Sequence, residues 1–298
     1  MTNPVSLFLH QAALGDYVLV AVVVLLAFCA LCACLRLARG GLPGPVDATA
    51  KLAWQMGIIL GLEQAYEFTR GSFSHQPDIP IVHAYRLLDL ELSHHIFVEY
   101  RVEQFALHFK LVMSAVDLFY VIAHVAVTIG ALLYLYVRRR EQFWFTRNLL
   151  IVTTGLALIG FYVYPTAPPR FFSNYGFVDP AVVNHLVGEG GAQLGSYTYN
   201  PYAAMPSLHV GYALVVACGL FLAERRRIVR ALIALYPVAM TFVVISSGNH
   251  WLLDVLGAVL TVVVSAMIVV LLGYLRDIGT RSLHAVLGPR PMLASGGK

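Results

Sequence analysis

The sequence predicts an all-α integral membrane protein, a helical bundle of about seven spans with its N-terminus outside and its C-terminus inside. Hydrophobic residues make up 59% of the chain and charged residues only 12%. A soluble domain is about half apolar and about a quarter charged. The mean hydropathy is +0.73, and apolar runs of membrane-spanning length recur along the chain. Most of the protein's surface is therefore expected to face lipid.

The candidate spans follow from apolar runs close to the length that crosses a bilayer. The second run is the weakest, because Glu63 and Glu67 interrupt its second half. In chain order the predicted spans are residues 17–37, 52–68, 111–137, 148–164, 207–223, 231–246 and 251–275.

The distribution of positive charge decides between six and seven spans. With seven spans and the N-terminus outside, 15 of the 20 Lys and Arg residues fall in inside loops. A six-span arrangement without residues 52–68 places successive Arg clusters on opposite sides of the membrane. The seven-span arrangement is therefore the prediction.

The chain is expected to divide into three parts. Residues 1–47 hold the first span and an inner loop, residues 48–278 form a catalytic membrane domain, and residues 279–298 form a disordered inner tail. Outside the membrane, an amphipathic helix over residues 82–105 should lie along the interface. The Gly-, Pro-, Tyr- and Asn-rich segment 165–206 is an outer loop of a length that is usually functional.

The first polar cluster at the outer edge is residues 164–170, YPTAPPR. Its prolines end the preceding span and stiffen the exit, which holds Arg170 just beyond the membrane. A guanidinium matches phosphate oxygens in bidentate geometry. Taken alone, the segment is more typical of an interfacial Arg whose charge reaches water.

The second cluster is residues 204–209, AMPSLH. Pro206 stands where the next span begins, a position that suits proline. Free N–H groups at a helix N-terminus bind anions, and the Ser207 hydroxyl adds a donor. His209 lies in the same first turn. A lone interfacial histidine is usually structural, but its place beside a helix N-terminus favours a functional role.

The third cluster contains His250 and Asp254, spaced so that both share one face of the last span. An aspartate inside a span marks a functional site. A carboxylate bonded to one imidazole nitrogen fixes the tautomer and raises the basicity of the other nitrogen. All three clusters fall on the outer side of the predicted topology. Two imidazoles, a carboxylate, a guanidinium and a helix N-terminus fit phosphoryl transfer.

These residues resemble a known family. Arg170, the PSxH of residues 206–209 and the HxxxD of residues 250–254 are similar to the first, second and third motifs of the type 2 phosphatidic acid phosphatase superfamily. Its inositol phosphotransferase branch, which includes fungal inositol phosphorylceramide synthase, is more similar over residues 164–170, 200–209 and 249–254. Residues 86–104 also resemble it, more weakly. The resemblance extends over residues 50–275.

The resemblance implies a six-helix catalytic core and a covalent phosphohistidine mechanism that needs no metal and no cofactor. His250 would attack phosphorus, Asp254 would orient it, and His209 would protonate the leaving alkoxide. Arg170 and Ser207 would hold the phosphate oxygens. The implied protein is a phosphotransferase at the outer membrane face, most simply the plasma membrane, with its site facing periplasm, exterior or lumen. Its partners would be a membrane lipid and a lipid or polyol acceptor, not nucleic acid.

The sequence departs from the phosphatase pattern in two places. The nearest cation upstream of Arg170 is Arg147, on the inner side, and residues 246–248 fill the region that usually carries a third-motif arginine. A phosphate site with fewer cations favours transfer from phosphodiesters, which carry less charge. A lipid phosphate phosphatase remains an alternative. More remote are a transporter or lipid-binding protein and a zinc site of His209, His250 and Asp254.

Further polar residues are candidates for a pocket around the site. Asp117, Tyr120 and His124 recur on one helix face and would support the site or form a polar seam between helices. Tyr199, Asn200 and Tyr202 would line a polyol pocket or serve as interfacial residues. The lipid donor, the acceptor and the oligomeric state stay open.

Overall fold

The computed structural model describes residues 23–38, 41–72, 78–120, 124–178 and 200–287. Within these ranges the chain is helical and has no β-strand beyond a single bridge between Thr166 and Ala203. The predicted all-α fold is confirmed. In chain order the helices are α1 (Val23–Ala38), α2 (Gly44–Ser72), α3 (Asp78–Ser93), α4 (Glu99–His108), α5 (Lys110–Leu118), α6 (His124–Arg138), α7 (Arg140–Val163), α8 (Leu208–Ala223), α9 (Arg227–Ser246) and α10 (Leu252–Leu287).

Three described helices are long and apolar enough to cross a membrane. These are α7, α9 and the part of α10 from Leu252 to Ile278, while α1, α6 and α8 are shorter apolar helices. The seven-span count and the N-out orientation stay predictions.

Helix α8 lies at the centre of the bundle and packs against α6, α7, α9 and α10. Its residues are buried around most of its circumference, including Ala213, Val215 and Val216. A helix that is apolar on all sides belongs in a core. At Gly219 the backbone of α8 approaches α7 so closely that a Cβ atom would overlap the Thr146 side chain. The C-terminal half of α8 is therefore packed tightly against α7.

Two predicted helices are interrupted in the structure. The interfacial helix predicted over residues 82–105 is wrong as a single element, because α3 ends at Ser93 and α4 begins at Glu99. His95 between them has a left-handed φ of 57°. The predicted span 111–137 is likewise not one regular helix. After α5 the backbone forms a π turn at Phe119 and Tyr120, and α6 begins at His124.

The ends of three other helices also differ from the predictions. Helix α2 starts at Gly44, eight residues before the predicted span at 52. Helix α8 starts at Leu208, so Pro206 precedes the helix instead of occupying its first turn. Helix α10 runs to Leu287, so residues 279–287, predicted to begin a disordered tail, are helical. Residues 288–298 lie outside the described ranges.

Candidate active site

Three chain segments meet at the end of the bundle where α7 ends and α8 and α10 begin, and backbone groups join them. The Thr166 N–H donates to the Tyr202 carbonyl at 2.8 Å, and the Ser207 N–H donates to the Asp254 carbonyl at 3.1 Å. The Arg170 N–H donates to the Gly248 carbonyl at 2.9 Å. The three polar clusters of the sequence are thus neighbours in space. We call this the histidine end of the bundle.

An indole adds a fourth cross-link. The side-chain N–H of Trp251, which is fully buried, donates to the Ala167 carbonyl at 2.9 Å. Trp251 immediately follows His250 and packs against Phe172 and Phe177. The residue next to His250 is therefore anchored to the segment that carries Arg170.

The imidazole of His250 is 5% exposed and is held on one nitrogen. Its Nδ1 lies 2.9 Å from the Ala204 carbonyl oxygen and 3.4 Å from Asp254 Oδ2. A carbonyl oxygen only accepts hydrogen bonds, so in the neutral ring Nδ1 carries the proton and Nε2 keeps its lone pair. This is the tautomer that a nucleophilic imidazole needs. The Ala204 carbonyl was not predicted and is the nearer partner.

Asp254 is fully buried in the first turn of α10. Its Oδ2 accepts the Trp251 N–H at 2.8 Å in addition to approaching His250. His250 lies two residues before α10, so the prediction that the pair shares one helical face is wrong. The contact arises because the segment before the helix folds back onto its first turn.

His209 lies in the first turn of α8, with its ring centroid 6.1 Å from that of His250. The Tyr120 ring stacks on it at 4.1 Å with an interplanar angle of 20°, and the His124 ring lies 4.5 Å away. Because aromatic neighbours contact it, the orientation of His209 is restricted. The separation of the two imidazoles suits a phosphate ester that contacts both.

Ser207 and Arg170 flank the histidines. Ser207 is the N-cap residue of α8, and its buried hydroxyl has no hydrogen-bond partner among the described residues. Arg170 is half-buried in a 3-10 turn, with its guanidinium carbon 5.5 Å from the centre of the Phe171 ring. Both therefore stand beside the segments that hold His250 and His209.

Three fully buried glutamates of α3 and α4 were missed as site residues. Glu99 Oε1 accepts the Leu252 N–H at 2.5 Å, and Glu91 Oε1 accepts the Leu253 N–H at 2.9 Å. Glu103 Oε1 accepts the Val178 N–H at 3.3 Å. Glu91 and Glu99 therefore do not face water, as the carboxylates of an amphipathic interfacial helix would. These carboxyl groups bind the N-terminal amides of α10, the helix that His250 precedes.

Glu91 follows buried Leu87 and Leu88 by four and three residues, so helical periodicity places it on their apolar face. That spacing was the signal that could have identified it. Burial, and next the neighbouring Glu99 carboxyl, raise the pKa of Glu91 to about 9. Glu91 is therefore protonated at neutral pH, which reduces the negative charge behind the site.

His83 of α3 is a further contact that the sequence did not indicate. Its Nδ1 donates to the Pro165 carbonyl at 2.8 Å, and its ring stacks on Tyr164 at 4.0 Å. The interfacial helix is thereby attached to the proline-rich exit of α7. Helices α3 and α4 together brace the segments on both sides of the histidines.

The predicted pocket residues divide into two groups. Tyr120 and His124 do contact His209, whereas Asn200 Oδ1 accepts the Tyr202 N–H at 2.8 Å and so shapes the loop backbone. Tyr202 packs edge-on against Phe171. Tyr199 and the side chain of Asp117 lie outside the described part of the chain.

No group of three or more His, Cys, Asp or Glu residues in the described ranges could hold a metal ion, so the zinc alternative gains no support.

Comparison with known proteins gives two matches. The PAP2 superfamily matches residues 85–268, which confirms the superfamily inferred from the motifs. A curated relative, the phosphoinositol dihydroceramide synthase of Bacteroides thetaiotaomicron, is 29% identical over 168 residues, which cover 52% of this chain and 54% of the relative. The chain thus spans about half the length of the curated relative it matches. No solved structure matches it significantly.

Proposed function

This chain belongs to the PAP2 superfamily, and on that basis we propose that it is a membrane lipid phosphotransferase that works through a phosphohistidine. The observation that carries the proposal is the tautomer of His250. Its Nδ1 is held by the Ala204 carbonyl and Asp254, and its ring lies 6.1 Å from that of His209. One imidazole is thereby prepared to attack phosphorus while the other can transfer a proton.

In the first step, Nε2 of His250 attacks the phosphorus of a lipid phosphate ester. The N–P bond forms as the bond from phosphorus to the leaving alkoxide oxygen breaks. His209 donates a proton to that oxygen, and the leaving group departs as a neutral alcohol. Asp254 stabilises the positive charge that develops on His250.

In the second step, an acceptor alcohol attacks the phosphohistidine. Neutral His209 takes the hydroxyl proton, the new P–O bond forms, and the N–P bond breaks. His209 is protonated again, ready for the next leaving group. Water in place of the alcohol would make the same site a phosphatase, so the difference lies in which nucleophile reaches the phosphohistidine.

The charges around the site favour a phosphodiester. Arg170 and the N-terminal amides of α8 next to Ser207 would hold the non-bridging oxygens. Arg170 is the only Lys or Arg within the three polar clusters, so the site has less positive charge than a phosphomonoester dianion needs. A diester carries one negative charge and suits this arrangement.

The relative's name supplies a concrete choice of substrate. That protein is named as a phosphoinositol dihydroceramide synthase. For this chain we accordingly propose an inositol phospholipid as donor and a long-chain lipid alcohol as acceptor. Helix α7 carries Arg140 at its start and leads to the Arg170 segment at its other end. By the positive-inside rule, the histidine end would face the outside of the cell membrane.

The test is product formation by purified protein in detergent. Phosphatidylinositol and phosphatidate are supplied with and without a ceramide acceptor, with EDTA present throughout, and compared with His250→Ala. We expect acceptor-dependent transfer of the head group, insensitive to EDTA and abolished in the variant.

Other results would change the conclusion in distinct ways. Phosphate release from phosphatidate without need of an acceptor would make the protein a phosphatase. Turnover that EDTA abolishes would overturn the metal-free mechanism. No turnover of any substrate would support a lipid-binding or transport role.

A further inference from the structure

A cavity lies at the end of the bundle opposite the histidines. It has a volume of about 470 Å³, is lined by α1, α2, α6 and α7, and is open on one side. Small residues of α1 and α2, including Ala30, Ala33 and Ala50, leave the space open. Arg140, at the start of α7, lines it, and at about 1.5 Å per residue the far end of this helix is roughly 35 Å away. We call this space the basic-end cavity.

Two buried polar atoms of this cavity have no partner. Tyr136 is 5% exposed and Gln55 8% exposed, and both line the cavity. Neither the Tyr136 hydroxyl nor Gln55 Oε1 has a hydrogen-bond partner among the described residues. Buried polar groups in folded proteins are nearly always hydrogen-bonded. A cavity whose wall combines small apolar side chains with two such atoms therefore points to a ligand that has polar and apolar parts.

The cations of the cavity exceed the carboxylates. Arg36, Lys51 and Arg140 all line it. Asp47 binds both Arg36 and Lys51, the latter at 2.6 Å. The guanidinium of Arg140 lies 3.6 Å from the centre of the Tyr136 ring, and within the described ranges it forms no ion pair. The lining therefore keeps a surplus of positive charge that an anion would balance.

Two tryptophans indicate the level in the membrane at which the cavity lies. Trp54 and Trp144 line it, and both are partly exposed on the outer surface of the bundle. Tryptophan is enriched at the level of lipid head groups. Cationic groups beside these indoles thus stand where a phosphate is found, and the small-residue wall stands where an acyl chain is found.

We infer that the basic-end cavity binds one anionic phospholipid from the leaflet opposite the histidine end. The phosphate would lie against Arg140 and the Arg36–Lys51 pair, and an acyl chain would pack along the alanines of α1. Hydroxyl groups of the head group would donate to Gln55 Oε1 and the Tyr136 hydroxyl. A zwitterionic lipid places its own cation among these side chains and is disfavoured. This inference does not depend on the proposed catalytic function.

The test is lipid binding by the full chain, delipidated in a neutral detergent and titrated by native mass spectrometry. We expect phosphatidylglycerol to bind about tenfold more tightly than phosphatidylcholine. Arg140→Gln should weaken phosphatidylglycerol binding about fivefold and leave phosphatidylcholine binding unchanged. Ala33→Phe, which fills the apolar part, should weaken the binding of both lipids.

Arg227→Gln is the matched control, because Arg227 is an exposed cation at the start of α9 that does not line the cavity. It should bind both lipids as the wild type does. Equal affinity for the two lipids, or wild-type affinity in Arg140→Gln, would overturn the inference. Displacement of phosphatidylglycerol by inorganic phosphate would also overturn it, since the site would then bind a free anion. Arg140 is exposed, so its variant remains informative even if Ala33→Phe is unstable.

Discussion

Carboxyl groups at the histidine end are fully buried and accept hydrogen bonds from backbone amides, whereas charged groups at the opposite, basic end of the bundle remain partly exposed. Glu99 and Asp254 are 0% exposed, while the side chains of Arg36 and Lys51 are 39% and 63% exposed. Burying a charged group costs stability unless hydrogen bonds compensate it. The buried set is thus retained for geometry around His250. The exposed set keeps part of its hydration.

The largest expected effect on turnover comes from removing the charge of Asp254 in the His250–Asp254 pair. Asp254→Asn should lower turnover about a thousandfold or more, because the nucleophile then lacks the charge that stabilises its imidazolium form. The measurement is turnover together with the yield of acid-labile phosphoprotein. Asp47→Asn removes a carboxyl from the basic end and should keep turnover within about twofold. Equal losses in both variants would remove the distinction between the two ends.

The second effect concerns a carboxyl that contacts α10 but not the histidine. Glu99→Ala leaves the Leu252 and Val98 N–H groups without their acceptor. We expect kcat to fall about 10- to 100-fold with little change in KM, because unsatisfied amides shift the start of α10. Glu99→Gln keeps an acceptor oxygen and should restore most of the rate.

Glu224→Ala is the matched control for this prediction. Glu224 also accepts two backbone N–H groups, of Arg225 and Arg226, but it is partly exposed at the basic end. Its loss should leave kcat unchanged. A Glu99→Gln variant as slow as Glu99→Ala would show that the charge of Glu99, and not its hydrogen bonds, is needed.

The third prediction is a pH dependence that belongs to the histidine end. The pKa of Glu91 is about 9 in the folded protein against an ordinary 4.5, and the charged groups facing it are Glu99 and Asp254. Because the folded state holds this proton more tightly, its contribution to stability is complete below about pH 4.5 and is lost as pH rises towards 9. In Glu91→Gln this pH-dependent loss of stability is absent. Its melting temperature and activity should therefore fall less than those of the wild type between pH 7 and 9.

The smallest expected effect is on stability alone. Trp251→Phe removes the hydrogen bond to the Ala167 carbonyl but keeps an aromatic ring in the core. We expect a loss of about 1–2 kcal/mol in the free energy of unfolding, measured by denaturant titration in detergent. Trp54→Phe at the basic end, where the ring is 49% exposed, should change it by less than about 0.5 kcal/mol.

Much of this arrangement could be predicted from the sequence, because the strongest signals are local. Hydropathy indicates the helices, and the spacing of His250 and Asp254 indicates a charge pair. The interruptions at His95 and Tyr120 could not be predicted, since they depend on contacts between distant segments. The roles of Glu91 and Glu99 could not be predicted either, because a helical wheel assigns carboxylates to water, whereas here they accept hydrogen bonds from the amides of α10.

The Ala204 carbonyl has a genetic consequence. The nearer of the two groups that hold Nδ1 of His250 is a backbone carbonyl, and any amino acid at position 204 has this oxygen. A substitution there acts indirectly, through the size of its side chain in a buried space or through the backbone conformation that it allows. The backbone conformation at position 204 therefore helps to keep the proton on Nδ1 of His250. A single-nucleotide change at position 254 can remove its other partner, the Asp254 carboxylate, directly.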